Sequence, residues 1–445
     1  MLNKKIAAFC LTLFLGSTLL AAQTIDRFMF PVTTGKLKNG LSVILAEDDS
    51  LPVVTVAVAY RAGSIQDPSG KPGLAYLMEN LMFRGSQDVP SREHFNFITR
   101  VGGMLNASTS EEMTIFYQTV PSNQLALVLW LESDRMRFLD LNEASFEQER
   151  KLLLDVVHQK RTSEPYAESQ AIFDRMLYID FPYSHPMLGT EEDIRNLTLE
   201  DVREFYATYY APNNAVLCIA GNFNKPKASE LVARYFETLP RGKDVNFAAE
   251  PFVYAKKQDI QSTEDPQALN PAAYMGFRVV PTAAKDLYTL KILDYLLMRG
   301  RSSRLPRRLL SPDNKIAYQL SGGIDQRGNR TAYQLFVIAN NPYPYWINQC
   351  QNAIFSELEK LKSAFPPEEE IAKAKAMFKM DYLSQTATSS DRAIYLCREF
   401  FTLRNFLDLP LELGNHWKVT ATDVVTIAHR YFNTDNSVIL NVRTK

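Results

Sequence analysis

Chemistry-bearing residues meet helical spacing at Gly73–Ser86, GLAYLMENLMFRGS. Leu74, Leu77, Met78, Leu81 and Met82 recur on one apolar stripe, so the segment reads as an amphipathic helix. Tyr76, Glu79 and Asn80, at i, i+3 and i+4, share another face. A carboxylate there can act as a general base only on an activated water, because bulk water has a pKa of about 15.7. On these residues alone, the plainer reading is a core helix with Glu79 as a surface charge. His94, His158, His185, His416 and His429 show no paired spacing and offer no metal-binding couple.

The elements that would position this helix come twice. LTLEDVREFYATYYAPNNAVLCIAGN, from Leu197, aligns without gaps with VTATDVVTIAHRYFNTDNSVILNVRT, from Val419, at an offset of 222 residues. Thr198 matches Thr420, Asp201 matches Asp423, Tyr209 matches Tyr431 and Asn214 matches Asn436. In each copy the Thr is a helix N-cap, the Asp three residues on can close a capping box, and an Asn-containing turn leads into an apolar strand. Strands are predicted at Leu41–Asp48 and Val53–Gly63, then a helix at Gly73–Arg84 and another from Ser91. Strand-like runs follow through Asn106–Ser110 and Thr114–Val120, then helices at Gln124–Arg137, Glu143–Lys160 and Ala167–Leu177. The second half repeats the order: strands at Ala272–Val280, Ile316–Ile324 and Thr331–Ala339, and helices at Asp286–Met298, Tyr345–Ser363, Glu368–Leu383 and Ser390–Phe401. Strands followed by runs of helices give an α+β fold of two tandem homologous domains, each a mostly antiparallel sheet packed by helices. The expected boundaries are 23–241 and 272–445, with the polar stretch 242–271 as linker.

The Gly73–Ser86 segment resembles the zinc helix of peptidase family M16 (pitrilysin/insulinase-like), H-x-x-E-H in the setting G-L-A-H-x-x-E-H-x-x-F-x-G. The resemblance extends to R-A-G-S at Arg61–Ser64, G-G-x-x-N-A-x-T-S at Gly102–Ser110, and Glu149–Arg150 within FEQERKLLLDVV, Phe146–Val157. It implies half of a clamshell. In the family, two imidazoles and a later Glu hold zinc, and the Glu between the histidines activates its water. In this chain Tyr76 and Asn80 occupy the two His positions and Val156 that of the ligand Glu; only Glu79 is kept. A structural zinc site is worth roughly 10–16 kcal/mol, so losing three ligands leaves no useful affinity. Ser302–Ser303–Arg304–Leu305 and Ile316–Ala317–Tyr318 resemble the S-S-R-L and L-A-Y of the family's C-terminal domain. The resemblance implies that Arg304 and Tyr318 face the zinc and donate hydrogen bonds to substrate carbonyls; the plainer reading is that Arg304 pairs with a nearby acid and Tyr318 is half buried. Arg299, Arg301, Arg307 and Arg308 make that stretch basic, which suits acidic peptide segments or a plain solvated face.

The resemblance therefore implies the non-zinc subunit of a heterodimeric zinc metallopeptidase acting on peptides. Zinc belongs in an H-x-x-E-H paralogue and no cofactor in this chain. The other readings are a peptide-binding or structural protein without proteolytic partner, and an active peptidase with displaced ligands. Lys4 and Lys5, the apolar run Ile6–Leu20 and Ala21–Ala22 read as a secretory signal over 1–22, so the mature chain is expected to be exported, periplasmic and without a membrane span. A net charge of −1 gives no electrostatic case for nucleic acid. Cys10 falls within the leader; Cys218, Cys350 and Cys397 sit in apolar runs and read as buried thiols without a disulfide framework.

Overall fold

The β-branched and apolar runs form two sheets in the computed structural model, which describes residues 30–179, 183–247, 257–279, 286–327, 330–403 and 406–445. The first sheet holds β1 (Thr33–Lys36), β2 (Ser42–Glu47), β3 (Val53–Tyr60), β4 (Met104–Thr109), β5 (Thr114–Pro121) and β6 (Ala215–Gly221), in the order β1-β2-β6-β3-β5-β4. The second holds β7 (Asp259–Asp265), β8 (Ala272–Val279), β9 (Ala317–Arg327), β10 (Arg330–Ala339) and β11 (Ser437–Thr444), in the order β7-β11-β8-β10-β9. Setting β1 aside, the two orders are the same. The single parallel contact recurs as well, β2 with β6 and β7 with β11, all other pairs being antiparallel.

The repeat read from the sequence lies at the same joints in both halves. Thr198 and Asp201 close a capping box on the helix Leu199–Tyr209, and Thr420 and Asp423 close the same box on Ala421–Tyr431. The amide of Asn214 donates to Tyr209 O at 2.7 Å and Arg61 O at 3.1 Å; that of Asn436 donates to Tyr431 O at 2.7 Å and Arg278 O at 2.8 Å. Each Asn thus pins the end of its helix to the end of a central strand.

Strands β3, β6 and β8 are buried almost throughout because both faces of each sheet are covered. Val54, Val56, Val58 and Tyr60 point to one face, where Leu77, Met78, Leu81 and Leu129 pack. Ala57 and Ala59 point to the other, where small side chains admit the helix Ser389–Thr402. That helix comes from the second half of the chain. In return the helix Ala167–Leu177, from the first half, lies on β8 and β11, with Phe173 stacked on Tyr274 at 5.2 Å. Gly276 makes that approach possible, since a Cβ there would stand 2.7 Å from Leu177 Cδ1 and 2.8 Å from Phe173 Cζ. Arg278 completes the seam, its Nε donating to Leu177 O at 3.0 Å and its Nη2 to Met176 O at 2.7 Å, which satisfies carbonyls of the helix's last turn. The halves are therefore alike in topology but exchange their outer helices.

Some expectations need correction. The stretch 242–271, read as a linker, contains β7, whose polar DIQSTED sequence is held by main-chain pairing to β11 and not by burial. The helix expected over Gly73–Arg84 spans Leu74–Leu81, and β3 stops at Tyr60, short of Gly63. The expected leader, with Cys10, lies outside the described residues. Among the described residues no helix is long and apolar enough to cross a membrane.

Candidate functional site

The helix Leu74–Leu81 is started by a backbone device. Gly73, its N-cap, has φ 93°, and a Cβ there would stand 2.5 Å from Leu188 O. The Asp67 carboxylate accepts from Gly73 N and Ala75 N, both at 2.8 Å, in place of a side-chain cap. Burial pushes the Asp67 pKa up to about 8, against the pull of these two N–H donors. Leu74, Leu77, Met78 and Leu81 are buried, which leaves Tyr76, Glu79 and Asn80 on the half-buried face, as the spacing predicts.

Those side chains are engaged locally. Asn80 Nδ2 donates to Tyr76 O at 3.1 Å. Burial raises the pKa of the Tyr76 phenol, and the nearby Glu79 charge adds to it. Burial also raises the pKa of Glu79, while the hydroxyl and backbone N–H of Thr109 pull it back. Glu79 Oε2 is buried and has no hydrogen-bond partner among the described residues. Val156 stands on the neighbouring helix Glu143–Ser163 with 44% of its surface exposed, and Glu149 on the same helix is buried and ion-paired to Arg84. A zinc ion needs imidazole, thiolate or carboxylate donors in tetrahedral array. A protonated phenol, an amide and an aliphatic side chain do not fit it. Among the described residues no three His, Cys, Asp or Glu side chains are grouped to hold a metal.

A polar layer that the sequence reading missed lies in the same half. Glu132 and Arg135 form a buried ion pair, Gln118 donates to Glu132, and His94 Nε2 meets Gln118 Oε1 at 3.3 Å. The Arg135 guanidinium lies over the Phe116 ring at 4.3 Å. Burial, with the Arg135 charge added, lowers the His94 pKa to about 3, so this imidazole is neutral at working pH. The available signal was charged residues inside the apolar run LALVLWLESDRMR.

Beside the helix Leu74–Leu81, β4 forms one edge of the first sheet, with Met104 exposed at its start. In the second sheet one edge is β9, which carries Tyr318 as its second residue. Tyr318 is 62% exposed and the Lys315 ammonium lies 5.4 Å from its ring centroid. Arg304 opens the helix Arg304–Leu310, which packs along β9. Its guanidinium is committed to Glu370: Nε donates to Oε1 at 2.8 Å and Nη2 to Oε2 at 2.6 Å. This bidentate hydrogen bonding raises the Arg304 pKa; in Glu370 burial pushes upward, but the Arg304 contact wins and holds the carboxyl below its usual value. Ser303 is buried and donates to Tyr295 O at 2.9 Å, while Lys373 Nζ donates to Ser302 O at 3.2 Å. The S-S-R-L segment is thus anchored from three sides. Among the described residues no hydrogen bond or ring contact joins Arg304 to Tyr318. The pairing of Arg304 with an acid matches the plainer reading of the sequence, which does not say that the acid is Glu370; the 62% exposed Tyr318 is not half buried.

Residues 42–189 match the profile described as Insulinase (Peptidase family M16), and residues 196–378 match the one described as Peptidase M16 inactive domain. The zinc protease PqqE of Helicobacter pylori is 29% identical over 406 residues, 90% of each chain. A solved structure of a protease from Helicobacter pylori superposes with a TM-score of 0.85 at 26% identity, covering 93% of this chain and 100% of the other. The peptidase M16 inactive domain from Pseudomonas fluorescens shares the fold at a TM-score of 0.82 and 19% identity, covering 93% and 98%. With its two like-built sheets and matches over both halves, this chain belongs to peptidase family M16.

Proposed function

We propose that the chain is a catalytically inactive M16 homologue that lends substrate-binding residues to a heterodimeric zinc metallopeptidase acting on peptides. The observation that carries this reading is the donor set at the zinc positions. Tyr76 offers a protonated phenol, the Asn80 amide donates to the Tyr76 main-chain carbonyl, and Val156 has no donor atom. In this reading zinc and the activated water come from an H-x-x-E-H paralogue, and the complex works in the periplasm after export. Arg304 and Tyr318 supply donors to substrate carbonyls, and the exposed edge strands β4 and β9 suit an extended peptide. The name of the Helicobacter pylori relative, a zinc protease, agrees with the substrate class.

One observation favours a second reading, a peptide-binding or structural subunit without proteolysis: Arg304 is already satisfied by Glu370. Co-purification with an H-x-x-E-H paralogue, followed by metal analysis and peptide hydrolysis with each chain alone and with both, separates them. The first reading expects no stoichiometric zinc on this chain and hydrolysis that rises when it is added to the partner. One zinc per isolated chain, retained after mild chelation, sinks the inactive reading. A stable complex whose hydrolysis ignores this chain favours the structural one.

A further inference from the structure

We propose that Cys218 and Cys397 form a disulfide site that closes when the chain folds in an oxidising environment, tying the exchanged helix to the first sheet. Cys218 lies in the middle of β6, at the centre of the first sheet. Cys397 lies on the helix Ser389–Thr402, which reaches that sheet from the other half of the chain. Both are fully buried in one apolar cluster, and the two side chains lie within range of each other. A disulfide holds its sulfurs about 2.05 Å apart and its Cα atoms about 4.4–6.8 Å apart, so closing the pair calls for side-chain rotation and a small movement of the helix.

The surroundings favour a link over a chance approach. Ala57 and Ala59 on the facing strand leave the helix close to the sheet. The seam is also fastened at the start of the helix, where Thr55 Oγ1 meets Ser389 Oγ at 2.9 Å and Arg392 pairs with Asp48 at 2.7 Å. Cys350, the other described thiol, is held elsewhere, its Sγ donating to Ile316 O at 3.3 Å, and serves as an internal control. A Cys218–Cys397 bond would close a long loop spanning the halves, the case in which a cross-link most restricts the unfolded chain.

The chemistry balances with a disulfide as oxidant. One thiolate attacks a small disulfide such as oxidised glutathione, giving a mixed disulfide and one glutathione thiol. The second cysteine then displaces the other glutathione. Two thiols are oxidised, one disulfide is reduced, and both protons end on glutathione. Because the pair is buried once the helix docks, the bond must form during folding. Its presence in cells rests on the export reading above; its formation in vitro does not.

The test is to refold the reduced full chain in a glutathione redox buffer, denature it, alkylate free thiols and map peptides by mass spectrometry. The expected result is a linked Cys218–Cys397 peptide with Cys350 alkylated. Reductant should then lower the Tm by about 3–8 °C in the parent and in Cys350→Ala, and not in Cys397→Ala. Recovery of Cys218 and Cys397 fully alkylated after oxidative refolding overturns the site, even if Cys397→Ala folds poorly. Acid-quenched alkylation in the producing cells is read separately. A linked pair in vitro with free thiols in cells supports the site and counts against export.

Discussion

The two halves keep their joints and differ at their sites. Asn214 and Asn436 make matching bonds, and Thr198 and Thr420 close matching capping boxes. Between β3 and β4 in the first half, and between β8 and β9 in the second, the chain inserts two helices, and there the likeness ends. The first half's Leu74–Leu81 shows a polar face of Tyr76, Glu79 and Asn80. The second half's Asp286–Leu297 is buried nearly all round, including Asp294, which pairs with Arg299 at 2.7 Å. The two Asn joints are constrained because their polar atoms are buried and must be satisfied, whatever the function. Residues on a half-exposed face can change at little cost in folding, so the identities of Tyr76, Glu79 and Asn80 need not disturb the architecture.

The largest effect should fall on the exchange. Phe173→Ala removes a fully buried ring from the seam between the first half's helix and the second sheet, and should destabilise by about 3–5 kcal/mol in denaturant unfolding. A loss of under about 1 kcal/mol would mean that the helix is not held there, since such losses are usual for surface changes. Next come the joints. Asn214→Ala and Asn436→Ala each strand two carbonyl acceptors and should cost about 2–3 kcal/mol. Similar values in the two variants would support equal joints; a clear inequality would break the comparison.

The third prediction separates the halves by pH. His94 is buried neutral in the first half, with its pKa lowered from 6.5 to about 3. The unfolded chain binds a proton there below pH 6.5, and the folded chain does not until near pH 3. Its contribution to stability is therefore complete above pH 6.5 and is lost as pH falls, by about 2 kcal/mol at pH 5. A His94→Gln variant should lose that part of the slope, and the His94 ring resonances should not titrate above pH 4. A midpoint near 6.5 would show the ring to be solvated.

The caps come next. Thr198→Ala and Thr420→Ala should each cost about 1 kcal/mol, both boxes being solvent-exposed. These pairs were legible in the sequence because a cap is local: Thr and Asp three residues apart carry the whole motif. The α+β order and the central strands were legible for the same reason, as apolar runs between turn residues. The exchange was not. AESQAIFDRML announces an amphipathic helix, but nothing in it says which sheet takes its apolar face. Strand β7 was missed because its residues are mostly exposed and its pairing is main-chain. At the site, the face shared by Tyr76, Glu79 and Asn80 followed from spacing, whereas the Glu370 partner of Arg304, 66 residues away, could not. The apolar runs around Cys218 and Cys397 revealed burial and not proximity.

The smallest effect on folding should carry the most information on function. Arg304→Ala is an ambiguous probe, because it strands the carboxylate of Glu370 in a partly buried setting, and any loss of activity mixes with loss of stability. Tyr318→Phe has no such defect. The side chain is exposed on an edge strand and its hydroxyl makes no hydrogen bond among the described residues, so removing that oxygen should change stability by less than about 0.5 kcal/mol. If Tyr318 donates to a substrate carbonyl in a complex with a zinc-bearing partner, the same change should lower turnover without dissociating the complex. Loss of one preorganised donor in such a site commonly costs about 10²–10³ in rate. Restoring Tyr76→His and Asn80→His alone should create no activity, because Val156 still supplies no ligand. A reconstituted complex that keeps full turnover with Tyr318→Phe removes Tyr318 from the substrate site. The exposed phenol would then be an ordinary edge-strand residue, and the structural reading of this subunit would be the better one.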